Sequence, residues 1–228
     1  MTREAAPWRS VALWYRLLLI LVTVAGFITG ERSMAYFTGQ TNVIVVAYFA
    51  IAVYWMVSRR TTVPPAPRLR GAVVGWILTV GIIAHIELAH WANPFPGLVD
   101  PDAAVRLGNW TLFIAHYVVP AMVLIDWLAF GPHGIVRWRD IPVWLLYVFA
   151  YGLLTLLRAM WFPEVSSRFP YPFFEPGAWG WWGVLLYLLV LLAVSAAIAA
   201  AVVGLDRLAA ITGRRRERAS APVGHGPA

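Results

Sequence analysis

The chain has 228 residues, of which 61% are hydrophobic and 13% charged, and its mean hydropathy is +0.69. A soluble domain carries about 25% charged residues, so this composition indicates an integral membrane protein. There is no cysteine, which excludes thiolate catalysis, iron–sulfur clusters and cysteine-ligated zinc. The net charge of +7 comes from arginines. Most of these lie in short loops and the tail, which favours contact with anionic lipid headgroups and gives no support to nucleic acid as a partner.

Six apolar stretches are long enough, at roughly 20 residues each, to cross a bilayer. In chain order they cover residues 11–30, 41–57, 71–89, 108–130, 142–160 and 181–205. The sequence therefore predicts an all-α, six-transmembrane-helix bundle within residues 1–212. Residues 213–228 form a basic segment of low complexity and are predicted to be a disordered cytoplasmic tail.

The distribution of arginines predicts the orientation of the bundle. Thirteen lie before the first stretch, in the second and fourth loops, or after the sixth stretch. Three lie on the other side, namely Arg32, Arg106 and Arg168. Because basic loops stay in the cytoplasm, both termini are predicted to be cytoplasmic. The arginines assigned to the second loop are Arg59, Arg60, Arg68 and Arg70.

Polar side chains gather in the predicted outer half of the bundle. Polar and ionisable residues inside membrane spans are costly and face a bundle interior or a cavity, so this gathering predicts a functional site. The candidates from the second to fifth stretches are Thr38, Gln40, Thr41, Asn42, His85, Glu87, Asn109, His116 and Arg158.

His116 and Thr38 each have an informative local context. Pro120 follows His116 by four residues and has no N–H to donate to the His116 carbonyl, which predicts a disturbed helix beside the histidine. Asn109 precedes His116 by seven residues, on the same face of an α-helix, and is a candidate to orient the ring. Thr38 has a second interpretation, because threonine is a favoured N-cap of a helix.

The segment FTGQTN at 37–42, together with HYVVP in the fourth stretch, resembles the androgen-induced membrane protein family and its bacterial six-span relatives. RFPYPFFEP, which contains Tyr171, and the run from Asp126 to Leu128 resemble the bacterial members. The animal members hydrolyse fatty-acid esters of hydroxy fatty acids with a threonine and a histidine. The resemblance implies these roles for Thr38 and His116, a pocket that includes Tyr171, and a bacterial inner-membrane location.

The implied chemistry is also consistent with the residue types alone. A threonine hydroxyl is a weak nucleophile that needs an adjacent base, and histidine is the usual one. Asn42, Gln40 or backbone N–H groups at the start of the second span could stabilise an oxyanion. Together with this chemistry, the resemblance implies a membrane-embedded lipid-ester hydrolase that works at the outer leaflet with no cofactor and no metal.

Three other functions stay open. The outer cluster could bind a lipid or small molecule without catalysis, although no internal repeat supports transport. His85 and His116 could ligate haem. His85, Glu87 and His90 lie close in sequence, but H-x-E-x-x-H is not a known zinc-protease spacing.

Overall fold

The computed structural model describes residues 7–28, 34–177 and 180–220, with side chains up to residue 213. All regular elements in this described part are helical. Arg32, which contributes to the predicted orientation, lies outside the described residues, as do residues 221–228 of the predicted tail.

Six helices are long and apolar enough to span a membrane, which confirms the predicted all-α six-span bundle. The spans, numbered first to sixth in chain order, are Val11–Ile28, Phe37–Ser58, Pro67–Leu88, Ala103–Ala129, Trp138–Trp161 and Gly180–Gly213. The last helix continues to Ser220, so the beginning of the predicted tail is helical.

Several spans begin earlier than their apolar stretches suggest. The second span starts at Phe37, so FTGQTN forms its first turns instead of a loop before it. The third starts at Pro67, in the first turn, where proline's missing N–H removes no hydrogen bond of the helix. Polar residues can therefore belong to a membrane helix when they lie in its first turns.

The fourth span starts early because Asp102 caps it. The Asp102 carboxylate accepts hydrogen bonds from the N–H groups of Ala104 at 2.7 Å and Val105 at 3.0 Å. These bonds, with Val105 contributing most, hold the pKa of Asp102 below its ordinary value. Because of this cap, the fourth span begins at Ala103, five residues before its predicted beginning at 108.

The third span is the central helix of the bundle. It packs against the second, fourth, fifth and sixth spans, and Val73, Val74 and Ile77 are almost fully buried between them. Successive spans alternate in direction, so the bundle has two ends. We call them the Thr38 end, where the second, fourth and sixth spans begin, and the Asp126 end, where the fourth span finishes.

A buried ion cluster joins three spans at the Asp126 end. Arg16 Nε donates to Asp126 Oδ1 at 2.8 Å, and Arg70 Nη2 donates to Asp126 Oδ2 at 2.7 Å. The three side chains are at most 1% exposed. The placement of Arg70 in a cytoplasmic loop was wrong, because the early start at Pro67 brings it into the third span beside a buried carboxylate.

The cluster holds two positive charges and one negative charge in an apolar surrounding. Arg70 also donates to the backbone carbonyls of Asp126 and Gly131, and Arg16 Nη1 contacts Met56 Sδ at 2.9 Å. Arg16 Nη2 has no partner within the described residues. Since Asp126 is the shared counterion, its loss would leave two arginines buried without compensation.

Replacing Asp126 by alanine is therefore expected to destabilise the folded protein by about 3–5 kcal/mol. The measurement is unfolding of the detergent-solubilised protein by heat and by denaturant. The exposed Glu164→Gln variant is the matched control, since it also removes one carboxylate. A loss below about 1 kcal/mol, the range of an exposed ion pair, would contradict the structural role of the cluster.

Candidate active site

A threonine and a histidine from different spans meet at the Thr38 end. Thr38 lies in the first turn of the second span, and its Oγ1 is 3.2 Å from Nε2 of His116 in the fourth span. The N-cap position is held by Tyr36, which makes no side-chain capping bond. The interpretation of Thr38 as the helix cap was therefore wrong, and its hydroxyl faces the histidine.

The second ring nitrogen determines which tautomer His116 adopts. Nδ1 lies 3.0 Å from the backbone carbonyl of Leu112, one turn earlier in the same span. A carbonyl oxygen can only accept, so Nδ1 carries the proton and Nε2 of the neutral ring is an acceptor. The Thr38 hydroxyl then donates to Nε2. This is the arrangement that a general base needs in order to activate a hydroxyl nucleophile.

The helix around His116 is not a regular α-helix. Ile114–Val118 forms a π-helical turn, in which the N–H of Val119 donates to the carbonyl of Ile114. Pro120 follows directly and supplies no N–H, as the sequence predicted. A π-helical turn inside an α-helix is frequent at functional sites because it redirects one side chain from the regular helical faces. Here the π-helical turn contains His116.

The third span approaches the histidine backbone at Gly81. A Cβ added at Gly81 would lie 2.7 Å from the His116 carbonyl oxygen and 3.3 Å from Pro120 Cγ. Only glycine permits this separation, so Gly81 determines how closely the third and fourth spans approach beside the site. Gly81 was not predicted as part of the site, since its only signal in the sequence is a glycine seven residues before the end of the span.

Tyr171 is the third polar group at Thr38. Its hydroxyl accepts a hydrogen bond from the Thr38 N–H at 3.4 Å and lies 3.5 Å from Thr38 Oγ1. Burial raises the pKa of the phenol, with a smaller opposing effect of its hydrogen bonds to Thr38. The phenol therefore stays protonated at neutral pH and has a proton to donate beside the threonine oxygen.

The segment 162–177, between the fifth and sixth spans, carries Tyr171, and polar and aromatic contacts hold this segment in place. Arg158, at the end of the fifth span, donates to the carbonyl of Ser167, while Arg168 Nε donates to the carbonyl of Ala159 at 2.9 Å. Phe173 stacks on Tyr171 with ring centroids 5.0 Å apart. Arg158 thus supports the site from outside it.

Two cavities meet at Thr38. The larger has a volume of about 620 Å³, lies among the second, third, fifth and sixth spans, and has mostly aliphatic and aromatic walls. The smaller has a volume of about 380 Å³ and lies among the first, second and fourth spans. Thr38 and Tyr171 line both cavities, whereas His116 lines only the smaller one.

Of the polar neighbours in FTGQTN, one belongs to the site. Asn42 lines the smaller cavity, and its amide donates to the Thr38 carbonyl at 2.9 Å. Gln40 donates to the carbonyl of Met34 in the preceding loop. Thr41 is fully buried and contacts the Tyr147 hydroxyl at 3.3 Å. The structure therefore does not bring Gln40 or Thr41 to His116.

The remaining predicted residues have partners elsewhere. Asn109 donates to the carbonyl of Gly97 at 2.9 Å, so the Leu112 carbonyl holds the His116 ring in its place. His85 pairs with the Tyr117 hydroxyl at 2.9 Å. Glu87 accepts a hydrogen bond from Tyr187 in the sixth span. Within the described residues, no three metal-ligating side chains are grouped to hold a metal ion.

The fold and this geometry define a six-span α-helical membrane protein with a threonine–histidine–tyrosine cluster between two cavities. Comparisons of the chain with protein-family models, with curated proteins and with solved structures found no match. The resemblance to the androgen-induced family stays a prediction that rests on its short motifs.

The close approach at Gly81 gives a stability prediction. Gly81→Ala is expected to destabilise the protein by about 1–3 kcal/mol, because the new methyl group overlaps the His116 carbonyl and the two spans must separate. Thermal unfolding in detergent measures the change. Gly108→Ala is the matched control: a Cβ there meets nothing within 4 Å, so it should stabilise by up to about 1 kcal/mol through helix propensity. Equal stabilisation by both changes would contradict the close contact.

Proposed function

We propose that the protein is a membrane-embedded hydrolase of lipid fatty-acyl esters, with Thr38 as nucleophile and His116 as general base. The observation that carries the proposal is the contact of 3.2 Å between Thr38 Oγ1 and the accepting nitrogen of His116. The Leu112 carbonyl fixes the other ring nitrogen, Nδ1, which leaves Nε2 of the neutral ring as the acceptor that faces Thr38.

The first half-reaction transfers the acyl group to the protein. Thr38 Oγ1 attacks the ester carbonyl carbon while His116 Nε2 accepts the hydroxyl proton. The carbonyl oxygen becomes an oxyanion, to which the Tyr171 hydroxyl donates from beside Thr38. His116 then gives its proton to the alkoxide oxygen as the ester C–O bond breaks. The alcohol leaves, and the acyl group stays on Thr38 as an ester.

The second half-reaction repeats these roles with water. His116 Nε2, neutral again, accepts a proton from a water molecule that attacks the acyl carbonyl carbon. The Tyr171 hydroxyl donates to the second oxyanion. Proton return from His116 to Thr38 Oγ1 releases the fatty acid and restores the starting state, so the cycle needs no group other than these side chains and water.

The position of the site suits a lipid substrate. Because the Thr38 end carries few arginines, we propose that it lies in the outer leaflet of a bacterial inner membrane, with both termini in the cytoplasm. The threonine lies in the first turn of its span. An ester linkage just below the headgroups would therefore meet Thr38 without leaving the bilayer.

The nucleophile and base are tested on long-chain acyl esters with detergent-purified protein. Thr38→Ala and His116→Ala are each expected to lower kcat by at least about 10³-fold, because each removes one half of a unit that acts together. Labelling by a fluorophosphonate probe should be lost in the same samples.

Thr41→Ala is the matched control. It removes a threonine hydroxyl one turn further along the same span, from a side chain bonded to Tyr147. It should keep both turnover and labelling. If the wild-type protein binds long-chain esters, and neither it nor any variant turns them over, the proposal is wrong and non-catalytic lipid binding takes its place.

Tyr171 gives a separate prediction. Tyr171→Phe keeps the ring and its stacking on Phe173 but removes the hydroxyl beside Thr38 Oγ1. Loss of one oxyanion donor should lower kcat by about 10²–10³-fold while KM changes little. Steady-state kinetics separate the two parameters. A raised KM with unchanged kcat would show that the tyrosine only shapes the cavity.

A further inference from the structure

The two cavities differ in their walls as well as their volumes. The larger is lined mainly by leucines and other apolar side chains of the fifth and sixth spans, together with Phe173 and Phe174 from the segment between these spans. The smaller carries a higher proportion of polar groups, including Thr23, Asn42 and Thr111 beside His116. An ester bound at Thr38 has two arms, an acyl chain and an alcohol. Each cavity can therefore receive one of them.

The position of His116 decides which arm enters which cavity. In the proposed reaction His116 must protonate the oxygen of the leaving alcohol, so this oxygen has to lie within hydrogen-bond reach of Nε2. His116 lines the smaller cavity and not the larger. The alcohol therefore leaves into the smaller cavity, and the acyl chain stays in the larger one while it is bound to Thr38.

The larger cavity also has the shape and the opening that an acyl chain needs. Its wall on the sixth span runs from Trp182 to Ser195, a rise of about 20 Å at 1.5 Å per residue. Its lining residues Leu153 and Leu189 are 44% and 64% exposed on the outside of the bundle. Both are apolar and belong to neighbouring spans, so a lipid chain can enter sideways from the bilayer.

The chemistry of the walls limits the charge of the substrate. No Asp, Glu or Arg lines either cavity within the described residues, and His116 is occupied by Thr38 and the Leu112 carbonyl. Moving an ion from water into such a site without a partner is strongly unfavourable. An alcohol arm that bears a carboxylate or phosphate close to the ester would therefore bind poorly.

On the basis of the proposed hydrolase function, we infer that the substrate is a long-chain fatty-acyl ester of an alcohol that carries no charge close to the ester. Its acyl chain occupies the larger cavity, and its alcohol occupies the smaller cavity beside His116. The polar lining of the smaller cavity suits an alcohol that carries further hydroxyl groups, such as a glycerol unit.

Two matched substitutions test the assignment. The hydroxyl of Ser195 in the larger cavity bonds to the Leu191 carbonyl, and that of Thr23 in the smaller cavity bonds to the Leu19 carbonyl. Ser195→Leu and Thr23→Leu each replace such a hydroxyl by a bulkier apolar group. Ser58→Leu is the control, because Ser58 is an exposed serine with the same kind of local bond.

Hydrolysis is measured on two ester series and one pair. One series varies the acyl chain from octanoyl to stearoyl on a fixed alcohol, and the other varies the alcohol from methanol to glycerol and branched alcohols on a fixed acyl chain. Ser195→Leu should lower kcat/KM for stearoyl relative to octanoyl esters by about tenfold, and Thr23→Leu should do the same for bulky relative to small alcohols. Each of these variants should leave the selectivity within the other series unchanged, and Ser58→Leu should leave both series unchanged.

The pair compares an ester whose alcohol arm bears a carboxylate close to the ester bond with the methyl ester of the same compound. The methyl ester should be hydrolysed at least about tenfold faster. The inference is overturned if the carboxylate ester is hydrolysed faster, if the two variants exchange their effects, or if neither variant changes the selectivity of an active protein. The proposed hydrolase function would stand in each of these cases. Absence of turnover of every ester by the wild type would instead reject the proposed function. Ser195→Val and Thr23→Ile replace any variant that fails to give a monodisperse protein.

Discussion

The buried ion pairs of Asp126 with Arg16 and Arg70 hold the first, third and fourth spans in register. One carboxylate accepts from arginines of the other two spans, and none of the three groups can move away without exposing an ion to an apolar surrounding. The third and fourth spans then touch again at the other end, where Gly81 meets the His116 backbone. The ion cluster and the glycine contact thus both join the third span to the fourth. The position of His116 therefore depends in part on an interaction ten residues further along the fourth span.

The membrane fold could be predicted because it depends on local properties of the chain. Six runs of apolar residues and the spacing of polar loops fix the number of spans, and the structure reproduces all six. The starts of the spans were less predictable. Polar first turns such as FTGQTN, and caps such as Asp102, extend a helix beyond its apolar run. The same effect explains the wrong placement of Arg70. The sequence around it is typical of a loop, whereas its guanidinium pairs with the buried Asp126.

The candidate site could be predicted in part. Thr38 and His116 were found through short motifs, and the structure brings their side chains together. The groups that hold these two side chains in place could not be found in the same way. The proposed orienting role of Asn109 assumed an unbroken α-helix over seven residues, whereas the π-helical turn at Ile114–Val118 interrupts that register. The Leu112 carbonyl, being backbone, leaves no sequence signal, and Gly81 matters only because of the helix that it faces.

In the proposed reaction, the separation of the two cavities also provides a route by which water reaches the site. A hydrolase that keeps its acyl chain in an apolar cavity needs a second route by which water can reach the acyl carbonyl carbon. In the proposed reaction the departing alcohol vacates the smaller cavity, which has the more polar lining and is the one that His116 lines. Water that enters there meets His116 Nε2 on the side from which the alcohol left. One histidine position therefore serves both half-reactions, because the leaving group and the attacking water use the same space in turn.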